Sequence, residues 1–347
     1  MRVLIIKLTS MGDLMHAFPA LTDAVKHIPD ISFDWVVDEN FAEVPKWHPS
    51  VNKVIPTAHR RWKKKLYQAY KNGEFSQFYH QLNASDYDVV IDLQSNLKSA
   101  FVSWLRKGDV HGYDKNTCRE KPAYWAYRHH YTIPLRQHAI ERQRSLFSKI
   151  FNYDAPKPLE NFECDYGVNL SSHPLPVMTM PERYVVCVHN ASWPTKLWPL
   201  SAWRELITRI AAQGFSILLP CGSDNEYQRA QEIADGFSGA IALPKMRLNE
   251  MAAIMSNAQA AVCSDTGLAH MAAVASIPAI TLYAVTDTLL IGTAGKNQQH
   301  LIAKNKTNNS KKNKVEKSQV TPAMSDISVD DVWQRLLPIL NTPVNNH

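Results

Sequence analysis

Short apolar runs alternate with longer amphipathic segments along most of this chain. In the second half, the runs YVVCVH, FSILL, AIALP, AAVCSD and IPAITLY are separated by segments in which apolar residues recur every three or four positions. This alternation of strand and helix patterns is typical of βαβ units and parallel sheets. The second half therefore predicts a doubly wound α/β domain.

The first half shows the same alternation less regularly. Strands are predicted at VLIIK, FDWVVD, NKVIP, DVVIDL and VHGY. Amphipathic helices are predicted at FPALTDAVKHI and SNLKSAFVSWLRKG. A second parallel α/β domain follows from this pattern.

Changes in composition mark the predicted domain boundaries. The proline-rich stretch LSSHPLPVMTMPERY predicts a linker at 171–184, between an N-terminal domain at 1–170 and a C-terminal domain at 185–303. Polar, low-complexity sequence predicts a mobile loop at 304–327, and a terminal helix follows at 328–340. Because ligands bind at the carboxyl ends of parallel strands, we expect a central cleft faced by both sheets.

The composition is that of a soluble globular protein. Of the 347 residues, 45% are hydrophobic and 20% charged, and no run approaches the roughly 18 apolar residues of a membrane span. The strand VLII directly after Arg2, with no signal-peptide pattern, favours a cytoplasmic location. Five scattered cysteines without C-x-x-C spacing indicate neither a zinc site nor a disulfide framework.

The net charge of +6 is unevenly distributed. Five of the six residues of RRWKKK at 60–65 are basic, and lysines also cluster at 304–317. Such runs are either solvated faces or contacts to nucleic acid, an anionic membrane surface or a phosphorylated substrate. No aromatic–basic recognition module accompanies them, so we expect no nucleic-acid partner.

The first strand-to-helix turn, LTSMGD, carries a carboxylate. It lacks the G-x-G-x-x-G fingerprint, which disfavours a nicotinamide dehydrogenase. Asp13 has two interpretations that composition leaves open. It caps the helix that it opens, or it is a base at the mouth of a cleft.

Further turns with polar residues follow strands of the second half. In AVCSDTGLAH, Asp265, Thr266 and Gly267 open a helix whose N–H groups form an anion site, with His270 one turn further; a plain helix cap with a core histidine is the alternative.

Three more loops lie at the same predicted sheet edge. HNASWPTKLWP offers Ser192 and Lys196 to a phosphate, PCGSDNEYQ places Glu226 in the first turn of a helix, and LPKMRL contributes Met246. The convergence of these loops is stronger evidence for a ligand site than any one motif.

These segments resemble a known family. MRVLIIKLTSMGD, RRWKKK, YDVVIDLQSNLKSA, KLWPLSAWRELI, LPKMRL and SDTGLAHMAA match the bacterial lipopolysaccharide heptosyltransferases, glycosyltransferase family 9 of the GT-B fold, and within it the members that attach the first heptose. The resemblance implies two Rossmann-like domains, ADP-heptose as donor and co-substrate rather than cofactor, and inversion without a metal ion. It also implies a Kdo residue of lipid A as acceptor, at the cytoplasmic face of the inner membrane.

Family roles carry over to matching positions. The resemblance makes Asp13 the general base, Lys196 a ligand of the donor phosphates, Glu226 a ligand of the ribose, Met246 a neighbour of the adenine and Asp265 a ligand of the heptose hydroxyls. The matches to the diphosphate loop are Thr266, Gly267, Leu268 and His270. The expected acceptor cluster comprises Arg60, Arg61, Lys64, Arg119, Arg142 and Arg144, with Trp62 at the membrane interface.

The chain departs from the family pattern at two loops. Ala191 and Ser192 stand where paired threonines are usual, which questions one of the expected hydroxyl contacts of the donor. AVTDT at 284–288 replaces the usual GPTDP.

Alternatives to the predicted function are transfer to a later core heptose and a non-catalytic, two-lobed binding protein.

Overall fold

The computed structural model describes residues 1–154, 157–159, 164–191, 193–303 and 323–342. The chain divides into two compact units, Met1–Asn169 and Leu170–His347. The sequence placed the corresponding boundary at residue 170. The cleft expected between the two domains stays a prediction.

The first unit is built on a six-stranded sheet in which all neighbouring strands are parallel. The strands are β1 (Arg2–Ile6), β2 (Ser32–Asp38), β3 (Val51–Thr57), β4 (Val89–Asp92), β5 (Val110–Tyr113) and β6 (His129–Tyr131). The helices are α1 (Met11–Met15), α2 (Phe18–His27), α3 (His59–Lys64), α4 (Leu66–Lys71), α5 (Glu74–Leu82), α6 (Leu97–Leu105) and α7 (Ala139–Phe151).

The second unit repeats the architecture with a second parallel sheet of six strands. Its strands are β7 (Tyr184–Val188), β8 (Ser216–Leu219), β9 (Ala240–Ala242), β10 (Ala260–Ser264), β11 (Ala279–Tyr283) and β12 (Gln298–Ile302). Its helices are α8 (Leu200–Ala212), α9 (Asp224–Ala234), α10 (Leu248–Ser256), α11 (Gly267–Val274), α12 (Thr288–Ile291) and α13 (Val329–Leu340).

Both sheets share one strand order. The first runs β3-β2-β1-β4-β5-β6. The second runs β12-β11-β10-β7-β8-β9, which is the same order read from the opposite edge when β7 is counted as the first strand of its unit. In a doubly wound sheet the strand order reverses between the first and fourth strands, which stay parallel. Ligands bind at the carboxyl ends of those two strands. The topology therefore points to the ends of β1 and β4 in one unit and of β7 and β10 in the other.

Of the four edge strands in the described sheets, the sequence predicted β3 and β9 but not β6 and β12. The residues HHY and QQHLI are mostly polar and partly exposed, because an edge strand has one sheet neighbour and less cover than a central strand. The apolar run that reveals a buried strand is therefore missing from both.

Only residues 323–327 of the predicted C-terminal loop are described by the structure. Of the loop predicted at 304–327, residues 304–322 lie outside the described residues, as does the lysine-rich stretch at 304–317. The last part is packed rather than mobile, because Met324 and Ile327 are buried in the core of the second unit. The Trp198 indole N–H also donates to the carbonyl of Ile327 at 2.9 Å. Helix α13 follows, with Ser328 as its cap.

The predicted linker also carries structure at both ends. Leu170–Ser172 form a short 3-10 helix with Leu170 buried, and β7 already begins at Tyr184. Among the helices described, none has the length and apolar character to cross a bilayer.

Candidate functional site

Asp13 lies where strand β1 runs into helix α1, at the point where the topology of the first unit favours a ligand. The Ser10 amide and the Ser10 hydroxyl both donate to Asp13 Oδ2, at 3.0 and 2.8 Å. The carboxylate thus takes part in a capping box at the start of α1. The N-cap itself is Ser10, whereas Asp13 is the third residue of α1, so the prediction that Asp13 is the capping residue is wrong in position. The capping box fixes the position of a half-buried carboxylate.

Lys7 is the main residue of this site that the sequence did not reveal. Its side chain is buried at the end of β1, and its Nζ donates to the carbonyl of Leu93 at 3.3 Å. Burial lowers the pKa of Lys7 to about 8, although the nearby carboxylates of Asp13 and Asp92 counteract the shift. An ammonium group is therefore buried between two acidic side chains.

This ammonium controls the charge of Asp13. Burial alone would raise the pKa of Asp13, but the charge of Lys7, the two Ser10 donors and the charge of Arg119 outweigh it. The net effect holds the pKa of Asp13 below its ordinary value. Asp13 is consequently ionised at neutral pH and can accept a proton.

The end of β4 holds the turn after β1 in place. Asp92 is fully buried and accepts from the Gln94 and Ser95 amides at 2.8 and 2.9 Å and from the Tyr127 hydroxyl at 2.8 Å. Burial outweighs these bonds and raises the pKa of Asp92. Gln94 Oε1 in turn accepts from the Leu8 and Thr9 amides at 2.5 and 3.1 Å.

Two of the predicted acceptor arginines lie near Asp13. Arg119 is exposed, its amide is held by Ser95 Oγ at 3.0 Å, and its charge contributes to the low pKa of Asp13. Arg142 on α7 donates to the carbonyl of Thr117 at 2.8 Å, and its guanidinium lies over the Tyr113 ring at 4.9 Å. Its charge acts on Lys7, which places it in the same cluster.

Arg144 points elsewhere, although it is on the same helix. It forms an ion pair with Asp23 at 2.6 Å and donates to the carbonyl of Lys157 at 3.1 Å. Residues two positions apart on a helix differ by about 200° in direction. The geometry therefore favours Arg142 over Arg144 for contact with a ligand of this site.

The basic run on α3 divides in a similar way. Arg60 is exposed, with its Nε 3.5 Å from the buried carboxylate of Asp38, and Lys64 is exposed. Arg61 lies between the carboxylates of Glu39 and Glu74, at 3.1 and 2.7 Å. Those two carboxylates compensate the charge of Arg61.

Trp62 is half-buried and makes its contacts within the first unit. Its indole N–H donates to Glu74 at 2.8 Å, and its ring packs against Phe75 and Phe78 with centroids 4.9 and 5.6 Å away. It covers the apolar core of the first unit. The sequence does not show these inward contacts, and the expectation of a membrane-facing Trp62 stays a prediction.

In the second unit, Lys196 and Asp265 meet at the equivalent point of the sheet. Lys196 closes the short helix Pro194–Lys196 after β7, and Asp265 follows β10. The Lys196 ammonium lies 2.5 Å from Asp265 Oδ2. The Thr286 hydroxyl donates to the same oxygen. The altered loop AVTDT thus keeps a threonine that contacts Asp265.

Helix α11 starts directly after this aspartate. Thr266 caps it without a side-chain capping bond, and its Oγ1 is buried with no hydrogen-bond partner in the parts of the chain that the structure describes. The Ser264 hydroxyl is likewise buried and without a hydrogen-bond partner among the described residues. Gly267 and Leu268 form the first turn, and His270 is buried. Two buried hydroxyls and the N–H groups at the start of α11 therefore flank Asp265, the residue that Lys196 contacts. This combination suits an anionic ligand.

Glu226 and Met246 lie at the other end of this sheet edge. Glu226 Oε2 accepts from the Gly222 amide at 2.6 Å and from the Asn190 side chain at 3.3 Å. Asn190 itself follows β7, so the bond links the turns after β7 and β8. Met246 is half-buried between β9 and α10. Ser192 lies outside the described residues.

Nowhere in the described ranges do three or more His, Cys, Asp or Glu side chains form a group that could hold a metal ion.

Comparison with known proteins agrees with this architecture. Residues 75–320 match the model of glycosyltransferase family 9 (heptosyltransferase). Lipopolysaccharide heptosyltransferase 1 of Pseudomonas aeruginosa is 43% identical over 302 residues, covering 87% of this chain and 83% of its own length. The Escherichia coli K12 protein of the same name is 44% identical over 300 residues, covering 86% and 92%.

Solved structures give the same result for the fold. The structure of E. coli heptosyltransferase WaaC with ADP matches with a TM-score of 0.86 and 39% identity, over 98% of this chain and all of the other. WaaC with ADP-2-deoxy-2-fluoro heptose matches with a TM-score of 0.83 and 38% identity, over 97% and 99%. The predicted GT-B fold of two Rossmann-like domains is confirmed. The chain belongs to glycosyltransferase family 9, the heptosyltransferases.

Proposed function

We propose that this chain transfers heptose from ADP-heptose to a Kdo residue of lipid A, with inversion and without a metal ion or another cofactor. One observation carries the proposal. An ionised carboxylate lies at the ligand-binding point of one sheet, and a lysine–aspartate pair lies at the equivalent point of the other. A base and an anion-binding site are the two parts that inverting transfer from a nucleotide sugar requires.

Similarity supports this donor and this place in the lipopolysaccharide core. The relatives at 43% and 44% identity carry the name lipopolysaccharide heptosyltransferase 1, whereas relatives named heptosyltransferase 3 or 2 are only 20–24% identical. WaaC, the structural neighbour, binds ADP and a fluorinated ADP-heptose. A first-heptose transferase is therefore favoured over one that acts on a later heptose.

In the donor site, positive charge faces the leaving group. We assign the Lys196 ammonium, the Thr266 hydroxyl and the N–H groups at the start of α11 to the diphosphate. These groups stabilise the negative charge that develops as the bond between sugar and phosphate breaks. Asp265 accepts from heptose hydroxyls, Glu226 accepts from a ribose hydroxyl, and Met246 contacts the adenine.

In the acceptor site, Asp13 removes the proton of the attacking Kdo hydroxyl. Because the pKa of Asp13 is low, the carboxylate is a weak base. It takes the proton once the new bond to the anomeric carbon has begun to form and the hydroxyl has become acidic. Lys7 keeps Asp13 in the ionised form that this step needs.

The anionic acceptor is bound by basic side chains of the first unit. We place this role on Arg60, Lys64, Arg119 and Arg142. Arg61 is held between two carboxylates, and Arg144 is largely buried in its pair with Asp23. Arg60 has only the longer contact of 3.5 Å to Asp38, and its side chain stays exposed. A Kdo carboxylate and lipid A phosphates are the groups that such a cluster recognises. Because lipid A is a membrane lipid, the enzyme works at the cytoplasmic face of the inner membrane as a peripheral protein.

The purified chain is expected to add one heptose to Kdo-lipid A in the presence of ADP-heptose. Mass spectrometry of the product should show the mass gain of a single heptose on this acceptor and none on an acceptor that already carries the first heptose. A gain only on the heptosylated acceptor would instead assign the chain to a later step of the core.

The substitution Asp13→Asn is expected to lower kcat by about 10²- to 10⁴-fold, the usual contribution of a general base. The amide keeps the shape and a hydrogen-bond acceptor for Ser10, so the circular dichroism spectrum and ADP affinity should stay at the wild-type level. A variant that folds normally and turns over at the wild-type rate would leave Asp13 with the capping role alone.

The substitution Lys7→Met is expected to move the acidic limb of the pH profile of kcat/KM to higher pH. The buried ammonium lowers the pKa of Asp13, so its removal raises that pKa, and the base is protonated at a pH where it was previously free. Steady-state rates between pH 4 and pH 8, roughly the range in which a carboxylate with a raised pKa titrates, measure the shift. An unchanged limb would show that Lys7 does not act on the base.

The substitution Lys196→Ala should weaken ADP binding, because it removes a charge-assisted hydrogen bond worth about 1.5–3 kcal/mol, roughly a 10- to 150-fold change in affinity. Isothermal titration with ADP measures the loss. Lys296→Ala, which removes an exposed lysine of the same unit, is the matched control and should bind as the wild type does. Equal losses in both variants would argue for a general charge effect instead of a phosphate contact.

A further inference from the structure

Helix α6 exposes three of its large apolar side chains, while Val102 and Leu105 pack on the core of the first unit. Leu97, Phe101 and Trp104 are 55%, 58% and 79% exposed, and their spacing of four and three residues puts them on one face of the helix. The buried positions include Ser99, Ala100 and Ser103. A helix that packs on a sheet normally places its large apolar residues inward. We call Leu97, Phe101 and Trp104 the α6 stripe.

Packing within the first unit explains the small inner face. Ser103 Oγ lies 3.4 Å from the buried Asp92 carboxylate and donates to the Ser99 carbonyl at 3.0 Å. Larger residues at these positions would displace the hydrogen-bond network around Asp92. The same packing gives no reason for the exposed phenylalanine and tryptophan, and contiguous exposed apolar residues of this kind mark interaction surfaces.

Basic residues outnumber acidic ones around the α6 stripe, where Asp109 and Glu120 are the exposed carboxylates. The exposed basic residues along α6, the turn that follows it and the adjacent segment are Lys98, Lys107, Arg119, Lys121 and Arg128. A third exposed aromatic residue, Trp125 at 79%, lies on the short helix Lys121–Ala126, which packs against α6.

We propose that the α6 stripe is a membrane-docking surface that seats the first unit on an anionic phospholipid bilayer. Leucine, phenylalanine and tryptophan side chains enter the interfacial region of a bilayer, where tryptophan is enriched, and surrounding lysines and arginines contact the lipid phosphates. A protein partner of equal apolar character would not require this surrounding of basic residues. The proposal rests on the proposed function only in that the acceptor is a lipid.

The position of the α6 stripe suits this role. Its first residue, Leu97, starts α6 soon after the end of β4. Strand β4 pairs with β1, whose carboxyl end leads to Asp13, so the start of the stripe lies at the same sheet edge as Asp13. Docking through the stripe therefore brings the reactive carboxylate close to the lipid surface. An acceptor hydroxyl in the head-group region can then reach Asp13 while its acyl chains stay in the bilayer.

Sedimentation with vesicles that contain no acceptor tests the docking surface. Wild-type protein is expected to bind phosphatidylglycerol–phosphatidylethanolamine vesicles, and the double variant Phe101→Ser/Trp104→Ser should bind at least tenfold more weakly. The matched control Leu175→Ser/Val177→Ser removes two exposed apolar residues of the second unit and should bind like the wild type. A wild type that does not sediment, or a stripe variant that sediments equally well, would overturn the proposal.

Activity on two forms of the acceptor separates this proposal from the proposed function. With Kdo-lipid A in vesicles, the stripe variant should show a kcat/KM at least tenfold below that of the wild type. With the deacylated, water-soluble acceptor, both proteins should react at the same rate. An equal loss on the soluble acceptor would assign the stripe to the fold or the active site and reject docking. If the wild type transferred heptose to neither acceptor, the proposed function would fail, while vesicle binding would still decide the docking surface.

Discussion

The proposed acceptor site depends on how the buried ammonium of Lys7 is compensated. A lone ammonium in a protein interior is strongly unfavourable unless carboxylates and hydrogen bonds compensate it. Asp13, Asp92 and the Leu93 carbonyl provide that compensation. In return the lysine keeps Asp13 ionised, although burial by itself would favour the protonated acid. The charge state of the proposed base is thus a consequence of how the end of β1 is packed.

Two sheets of the same strand order place different chemistry at equivalent points. In the first unit the ends of β1 and β4 bring Lys7 and Asp92 together with Asp13, the proposed base. In the second unit the ends of β7 and β10 bring Lys196, Asp265 and the start of α11 to an anion site. The fold thus specifies where ligands bind, whereas the side chains in the turns specify which reacting group each unit holds.

Sequence patterns predicted most central strands and the turns that carry the site, because a buried parallel strand needs a continuous apolar run and its following turn is polar. They could not predict the partner of a charged side chain. The lysine that ends VLIIK looks like a solvated strand end, yet it is buried. Arg142 and Arg144 have identical local sequence character, and only the packing of α7 shows that the second pairs with Asp23. Trp62 lies in a run of basic residues, but the position of Glu74 and the core aromatics turns it inward.

Helix α6 contacts the hydrogen-bond network around Asp92 with its buried face and carries the α6 stripe on its exposed face. Asp92 needs small residues above it, because Ser103 and the Tyr127 hydroxyl share its carboxylate. Ser99, Ala100 and Ser103 share the inner face of α6 with Val102 and Leu105, while Leu97, Phe101 and Trp104 lie on the outer face. Since Asp92 is also one of the carboxylates that compensate Lys7, a single helix connects the electrostatics of the base to the surface that we assign to the membrane. A lipid acceptor makes this connection useful, because its reactive hydroxyl lies at the surface where the base is held.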